Sequence, residues 1–196
     1  MNEILTINLN ELFFDYASSG YLQELKDLYK KYPYIDISFN NDITFRTACS
    51  NGHLDIIKFL KKIKPTINMS VYSDESFRWA CLNNHLNIVK YLLYINKNID
   101  ISANDEWIFR WCCKNGNDDI ISYLLEIKPD INISINDEEP LKNACYNGHL
   151  NIVKILLNKK KNIDLSKLEI KYIKNKKIYD YIYNFCIEKL SKLCSK

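Results

Sequence analysis

Cysteine stands four residues before histidine at three places in this chain: Cys49 and His53, Cys81 and His85, Cys145 and His149. A thiolate and an imidazole at that spacing can ligate zinc. A column of cations follows a column of acids at the same interval. Asp42 precedes Arg46, Asp74 precedes Arg78, Glu106 precedes Arg110 and Glu138 precedes Lys142. Cations in register can contact phosphates, whereas an acid four residues ahead of a base can pair with it along a helix. Trp79, Trp107 and Trp111 stand next to or near these arginines, and exposed aromatics beside Arg are the composition of binding hot spots. Which chemistry applies depends on the elements that carry these residues.

Those elements are set by a period. The glycines Gly20, Gly52, Gly116 and Gly148 lie 32, 64 and 32 positions apart. His53, His85 and His149 keep the same period, as do Arg46, Arg78 and Arg110, Pro33, Pro65 and Pro129, and Trp79 and Trp111. Cys49, Cys81, Cys113 and Cys145 form a further column. Sparse residue types share one clock only in a tandem repeat, here running without insertion from about residue 13 to about residue 166. Within one unit, Phe77, Ala80 and Cys81 are spaced as one face of a short helix. Asn83-Asn84 ends it, as Asn-Gly does in three other units, because Asn and Gly accept the left-handed conformation of a helix terminus. A second helix is predicted from Leu86 to Ile95, with Leu86, Val89, Leu92 and Leu93 on its apolar side. Ile99-Asp-Ile-Ser102 reads as an extended arm, and Asn104-Asp105-Glu106 as a polar turn. Helix pairs this short bury their apolar faces only by stacking on copies of themselves.

The segments Asn51-Gly-His-Leu-Asp-Ile-Ile-Lys-Phe-Leu60 and Asn147-Gly-His-Leu-Asn-Ile-Val-Lys-Ile-Leu-Leu157 resemble the NGHLxIVxxLL core of ankyrin repeats. Ala48-Cys49, Ala80-Cys81 and Ala144-Cys145 take the family's Ala-Ala positions, and Asp130-Ile-Asn132 resembles its arm. The TPLH signature and the turn glycine are missing, and each unit is one residue short. This Asn/Ile/Lys-rich variant resembles the ankyrin proteins of giant DNA viruses. The resemblance implies an all-α, ankyrin-repeat solenoid of stacked helix-turn-helix units with short turn arms. The expected divisions are an N-terminal capping repeat over 1–41, repeats over 42–73, 74–105, 106–137 and 138–169, and a C-terminal capping helix over 170–196. The cap helix is expected to pack on the array with Ile178, Ile182, Phe185, Cys186, Leu190 and Leu193.

The chemistry can now be weighed. The cysteines fill a small core slot, the histidines lie beyond the helix stop and are expected to bond backbone in the inter-helix loop, and no metal or other cofactor is predicted. Cys112-Cys113 lacks the CxxC spacing of a redox pair. Phosphate loops and nucleophile elbows need glycine-rich turns that four glycines in one column cannot build, so no enzyme is expected. The acid–base columns read as an i,i+4 ladder, with Asp105, Asp137 and Glu139 adding repulsion toward phosphate. The net charge of +3 is also too weak to imply an acidic-membrane partner, so neither a nucleic-acid nor a membrane partner is expected.

What remains is a binding surface. In the ankyrin family the first helix of each pair lines the concave face. Placing slots 46, 47 and 50 there, and translating by 32, gives as candidate partner-binding residues Arg78, Trp79, Leu82, Arg110, Trp111, Lys114 and Tyr146, with Tyr72 and Trp107 from the turn tips. Trp79 and Trp111, in adjacent units, are expected roughly 8–10 Å apart. The leading function is a non-catalytic scaffold for an unidentified protein partner, a host protein if the chain is viral. The alternatives are an adaptor for ubiquitin ligation and a substrate of asparaginyl hydroxylation, for which Asn68 and Asn132 resemble the target pattern. Composition fits a monomer in the cytoplasm. The 196 residues are 47% hydrophobic with a net charge of only +3, the start has no basic leader, no apolar run is long enough for a membrane span, and the seven cysteines read as reduced thiols. The 24 lysines against three arginines, with much Ile, Asn and Tyr, match AT-rich codons.

Overall fold

The computed structural model describes residues 8–69, 74–160 and 163–194. It is all-α, and among the described residues no β-strand occurs. The chain forms two compact units, 1–99 and 100–196.

The first unit holds three helix pairs: α1 (Leu9–Ser19) with α2 (Leu22–Lys31), α3 (Phe39–Asn51) with α4 (Leu54–Ile63), and α5 (Glu75–Leu82) with α6 (Leu86–Ile95). Its first helices stack in series, α1 on α3 and α3 on α5. The second unit holds α7 (Ala103–Asn115) with α8 (Asp118–Ile127), and α9 (Ile135–Asn147) with α10 (Leu150–Lys159). After two single 3-10 turns, α11 (Lys176–Cys194) packs on α10.

α1 buries Phe13 and Ala17, and each later first helix buries one Phe or Leu and a pair of small residues. Phe45, Ala48 and Cys49 in α3, and Phe77, Ala80 and Cys81 in α5, are fully or almost fully buried. So are Phe109, Cys112 and Cys113 in α7 and Leu141, Ala144 and Cys145 in α9. Small side chains let neighbouring helices approach closely, and the ring fills the space beside them. α6 buries Ile88, Val89 and Leu92, and α4, α8 and α10 bury their equivalents, whereas α2 buries only Leu25. Leu86 and Leu93, expected on that face, are only half-buried.

The core cysteines are free thiols. Burial pushes Cys49 and Cys113 well above the ordinary thiol range, and raises Cys112 and Cys145 to about 12. Alkylation needs the thiolate. Brief iodoacetamide treatment of the native protein at mildly alkaline pH is therefore expected to spare Cys49, Cys112, Cys113 and Cys145 while modifying the half-buried Cys186. Peptide mass spectrometry before and after denaturation checks this, and rapid native labelling of the core thiols would contradict the packing described.

The arms are tighter than the sequence suggests. Asp36, Asp100 and Asn132 each accept a bond from the backbone N–H two residues on, at Ser38, Ser102 and Ser134. The stretch read as extended is thus a side-chain-locked turn. It runs straight into three consecutive left-handed residues: Asn40, Asn41 and Asp42 with φ of 50°, 55° and 58°, Asn104, Asp105 and Glu106 with 55°, 56° and 55°, and Asn136, Asp137 and Glu138 with 51°, 57° and 63°. Left-handed backbone costs about 1–2 kcal/mol per residue for most side chains, less for Asn and Asp. The side chains at the site supply what offsets that cost.

Candidate functional site

The left-handed turns are held by side chains, those at 40–42 and 104–106 from two sides. The third residue of each turn carries a buried carboxylate: Asp42, Glu106 and Glu138. Each accepts the backbone N–H of the residue 26 positions later, Asn68, Asn132 and Asp164, at 3.3 Å. Ser38 Oγ donates to Asp42 at 2.6 Å and accepts from Lys64 Nζ. Lys160 donates to Ser134 and lies 3.8 Å from Glu138. From the other side, Arg46 Nε donates to the Asn41 carbonyl at 3.1 Å and Arg110 Nε to the Asp105 carbonyl at 2.9 Å.

This geometry corrects the expected i,i+4 ladder. The carboxylates that Arg46 and Arg110 bind are Glu75 and Glu139, 29 residues on; the Arg110–Glu139 distance is 2.8 Å. The acids four residues ahead of the arginines lie in left-handed backbone, outside the regular helix that the i,i+4 rule requires. Burial alone would raise the carboxyls of Glu75 and Glu139. Hydrogen bonds reverse it, from Trp79 and Arg46 onto Glu75 and chiefly from Asn136 and Arg110 onto Glu139, so both titrate below the usual range.

The histidines also tie one pair to the next. His53 Nε2 lies 3.0 Å from the Ser18 carbonyl, and His85 and His149 lie 2.9 Å from those of Ser50 and Lys114. A carbonyl only accepts, so each ring carries its proton on Nε2. The expected backbone bond is made, but to the last turn of the preceding first helix, where carbonyls have no partner within the helix. Asn51 and Asn83 donate to the same Ser18 and Ser50 carbonyls. The ring lies against the left-handed glycine of that preceding pair. A Cβ on Gly116 would meet the His149 ring at 2.6 Å, whereas on Gly148 its nearest neighbour would be Asn175 at 3.6 Å. The imidazoles are thus engaged as structural ties. Among the described residues no group of His, Cys, Asp or Glu is arranged to hold a metal.

The candidate binding residues fall in both units. In the first, Trp79 is 44% exposed and its indole donates to Glu75 at 3.1 Å. Arg78 and Leu82 beside it are half-buried. Tyr72 lies outside the described residues. In the second, Trp107 and Trp111 rings pack at 5.6 Å and 43°, and Lys114 Nζ sits 4.4 Å over the Trp111 ring. Trp111 is 36% exposed, and Trp107 and Arg110 are half-buried. Tyr146 is engaged by its own chain: its hydroxyl accepts the Glu169 N–H at 2.9 Å and its ring meets Tyr172 edge-on at 5.5 Å. The sequence offered no sign of that contact, because residues past 166 leave the period. Asn68 and Asn132 are exposed, and Asn132 Oδ1 accepts from Ser134 N–H at 3.2 Å. Among the described residues no helix is long and apolar enough to cross a membrane.

Known proteins bear on this arrangement in two ways. The family described as ankyrin repeats (3 copies) matches residues 13–105 and 106–167, about four-fifths of the chain. No curated protein matches it.

Proposed function

Because this chain belongs to the ankyrin-repeat family, whose repeats are generally protein-interaction modules without catalysis, we propose that it is a scaffold that binds a partner protein through the aromatic and cationic side chains of its first helices. The observation that carries the reading is the pair of solvent-exposed tryptophans, Trp79 and Trp111, on helices whose opposite sides are fully buried. A large ring left in water on a rigid element is poised to be buried by a partner, and Trp beside Arg dominates measured hot spots. Ion pairs and hydrogen bonds within each unit fix the backbone beneath them, so little ordering cost is left for binding. The resemblance of the Asn/Ile/Lys-rich units to ankyrin proteins of giant DNA viruses makes a host protein the expected target.

The test is the double substitution Trp79→Ala, Trp111→Ala. Partner capture, measured by quantitative mass spectrometry of pull-downs, is expected to fall by the equivalent of at least about 2 kcal/mol per ring. Circular-dichroism melting is expected to stay near wild type, with a modest loss from the Trp79–Glu75 bond. If the melting temperature falls as for removal of a buried Trp, which costs about 3–5 kcal/mol, and no captured protein is lost, the rings are packing elements and the reading fails. Cullin-complex subunits among the captured proteins would point instead to the adaptor role. A one-oxygen mass gain on Asn132 would point to the hydroxylation substrate.

A further inference from the structure

The small net charge of the chain hides a segregation within its second unit. Residues 100–139 carry ten acidic side chains against three basic ones, whereas residues 140–196 carry thirteen lysines, no arginine and four acids. The basic stretch includes α11, which begins beyond the family match ending at residue 167. α11 buries Ile178 and Ile182 and half-buries Phe185 and Cys186. Leu190, expected to pack inward, is instead exposed. It continues a second stripe, Tyr179, Tyr183, Ile187 and Leu190, spaced four, four and three residues apart and 44–61% exposed. The two tyrosine rings stack nearly parallel at 6.4 Å and 6°. Lys174, Lys176 and Lys177 lie exposed where the helix begins.

We propose that this face of α11 docks on an anionic lipid surface. A second copy of the chain would bring two strongly basic segments together, which like-charge repulsion opposes. A partner helix with a defined pattern of carboxylates is best read by the planar fork of Arg, and every cation of this segment is Lys. Exposed Lys174, Lys176 and Lys177 outnumber Asp180 and Glu188, the exposed acids of α11, and point charges beside a Tyr-containing apolar stripe suit a surface that is itself a dense array of charges over hydrocarbon. Tyrosine carries an apolar ring and a polar tip, which matches the headgroup boundary. Lysines act on such a surface within about a Debye length, roughly 10 Å at 0.1 M salt, and do not need to touch the stripe. This surface shares no residue with the tryptophan-bearing helices and does not depend on the scaffold reading.

The experiment is co-flotation of the full chain with vesicles of phosphatidylcholine alone and of phosphatidylcholine mixed with phosphatidylserine. Binding is expected only to the mixed vesicles, and is expected to collapse near 1 M salt, where the Debye length is about 3 Å. Lys174→Glu, Lys176→Glu, Lys177→Glu together should weaken it at least about a hundredfold, taking roughly a fivefold loss in affinity for each lysine removed near the surface. Tyr183→Ser with Ile187→Ser should weaken it about tenfold or more while leaving melting unchanged, since both side chains are exposed. No preference for the mixed vesicles overturns the proposal. So does binding that survives both variants, or binding to polyglutamate without binding to vesicles, which would assign the face to an acidic protein.

Discussion

Cys81→Arg is expected to abolish the folded state of the first unit, or to lower its melting temperature more than any surface change. Cys81 has no solvent exposure, and it lies on α5 in a slot sized for a small side chain. A guanidinium there is both too large and without a counter-charge. Burying an unpaired charge costs several kcal/mol, a large share of the roughly 5–15 kcal/mol that holds a typical domain together. In a stacked array each pair is stabilised by its neighbours, so the damage should reach the packing of α3 as well. Lys90→Ala, on the exposed side of α6, is expected to stay within about 0.5 kcal/mol of wild type. Equal melting shifts for the two substitutions would mean that the buried and exposed faces have been assigned wrongly.

The second large effect is expected from Gly116→Ala set against Gly148→Ala. Both glycines are left-handed, with φ of 83° and 87°, so both substitutions carry the cost of about 1 kcal/mol or more for a Cβ in that region. They differ in what the Cβ meets. At Gly116 it would sit 2.6 Å from the His149 ring, which must move and give up its bond to the Lys114 carbonyl. That adds about 0.5–1.5 kcal/mol for the lost hydrogen bond, which lies exposed to solvent. At Gly148 the neighbour is Asn175 at an ordinary 3.6 Å. Denaturant titrations should therefore place Gly116→Ala well below Gly148→Ala in stability. In a His149→Ala background the gap should close. A gap that persists there would show that the imidazole is not the source of the constraint.

Much of this fold was legible because the informative residues are rare. Four glycines and three histidines in register fixed the repeat, and the second helix read as Leu86 to Ile95 has those bounds in the structure. The alternation of Phe, Ala and Cys marked the buried side of each first helix. The bonds between successive helix pairs within a unit were not legible in the same way. Local rules pair Glu106 with Arg110, four residues apart, while the fold pairs Arg110 with Glu139 through a neighbour brought close only by stacking. The turn Asn104-Asp105-Glu106 was recognisable as polar. Three left-handed residues in succession were not, because nothing in a tripeptide signals that a later carbonyl-binding Arg and a buried carboxylate will hold it. In α11, periodicity alone could not separate Leu190 from Ile182, since both are apolar and the helix carries two apolar stripes. At the candidate binding surface, the sequence identified the exposed slots of Trp79 and Trp111 but not that Tyr146 is taken by residues 169 and 172.

The ties between successive helix pairs described above reach 26, 29, 33 or 35 residues along the chain. The entropy lost in closing a loop rises with its length, and slow folding follows from contacts far apart in sequence. Here each closure is about as long as every other, and none needs a distant partner. A nascent chain leaving the ribosome can therefore set each pair as soon as the next 35 or so residues have emerged. Synthesis order becomes assembly order, and a ribosome stalled midway would leave behind pairs already locked by the completed successor.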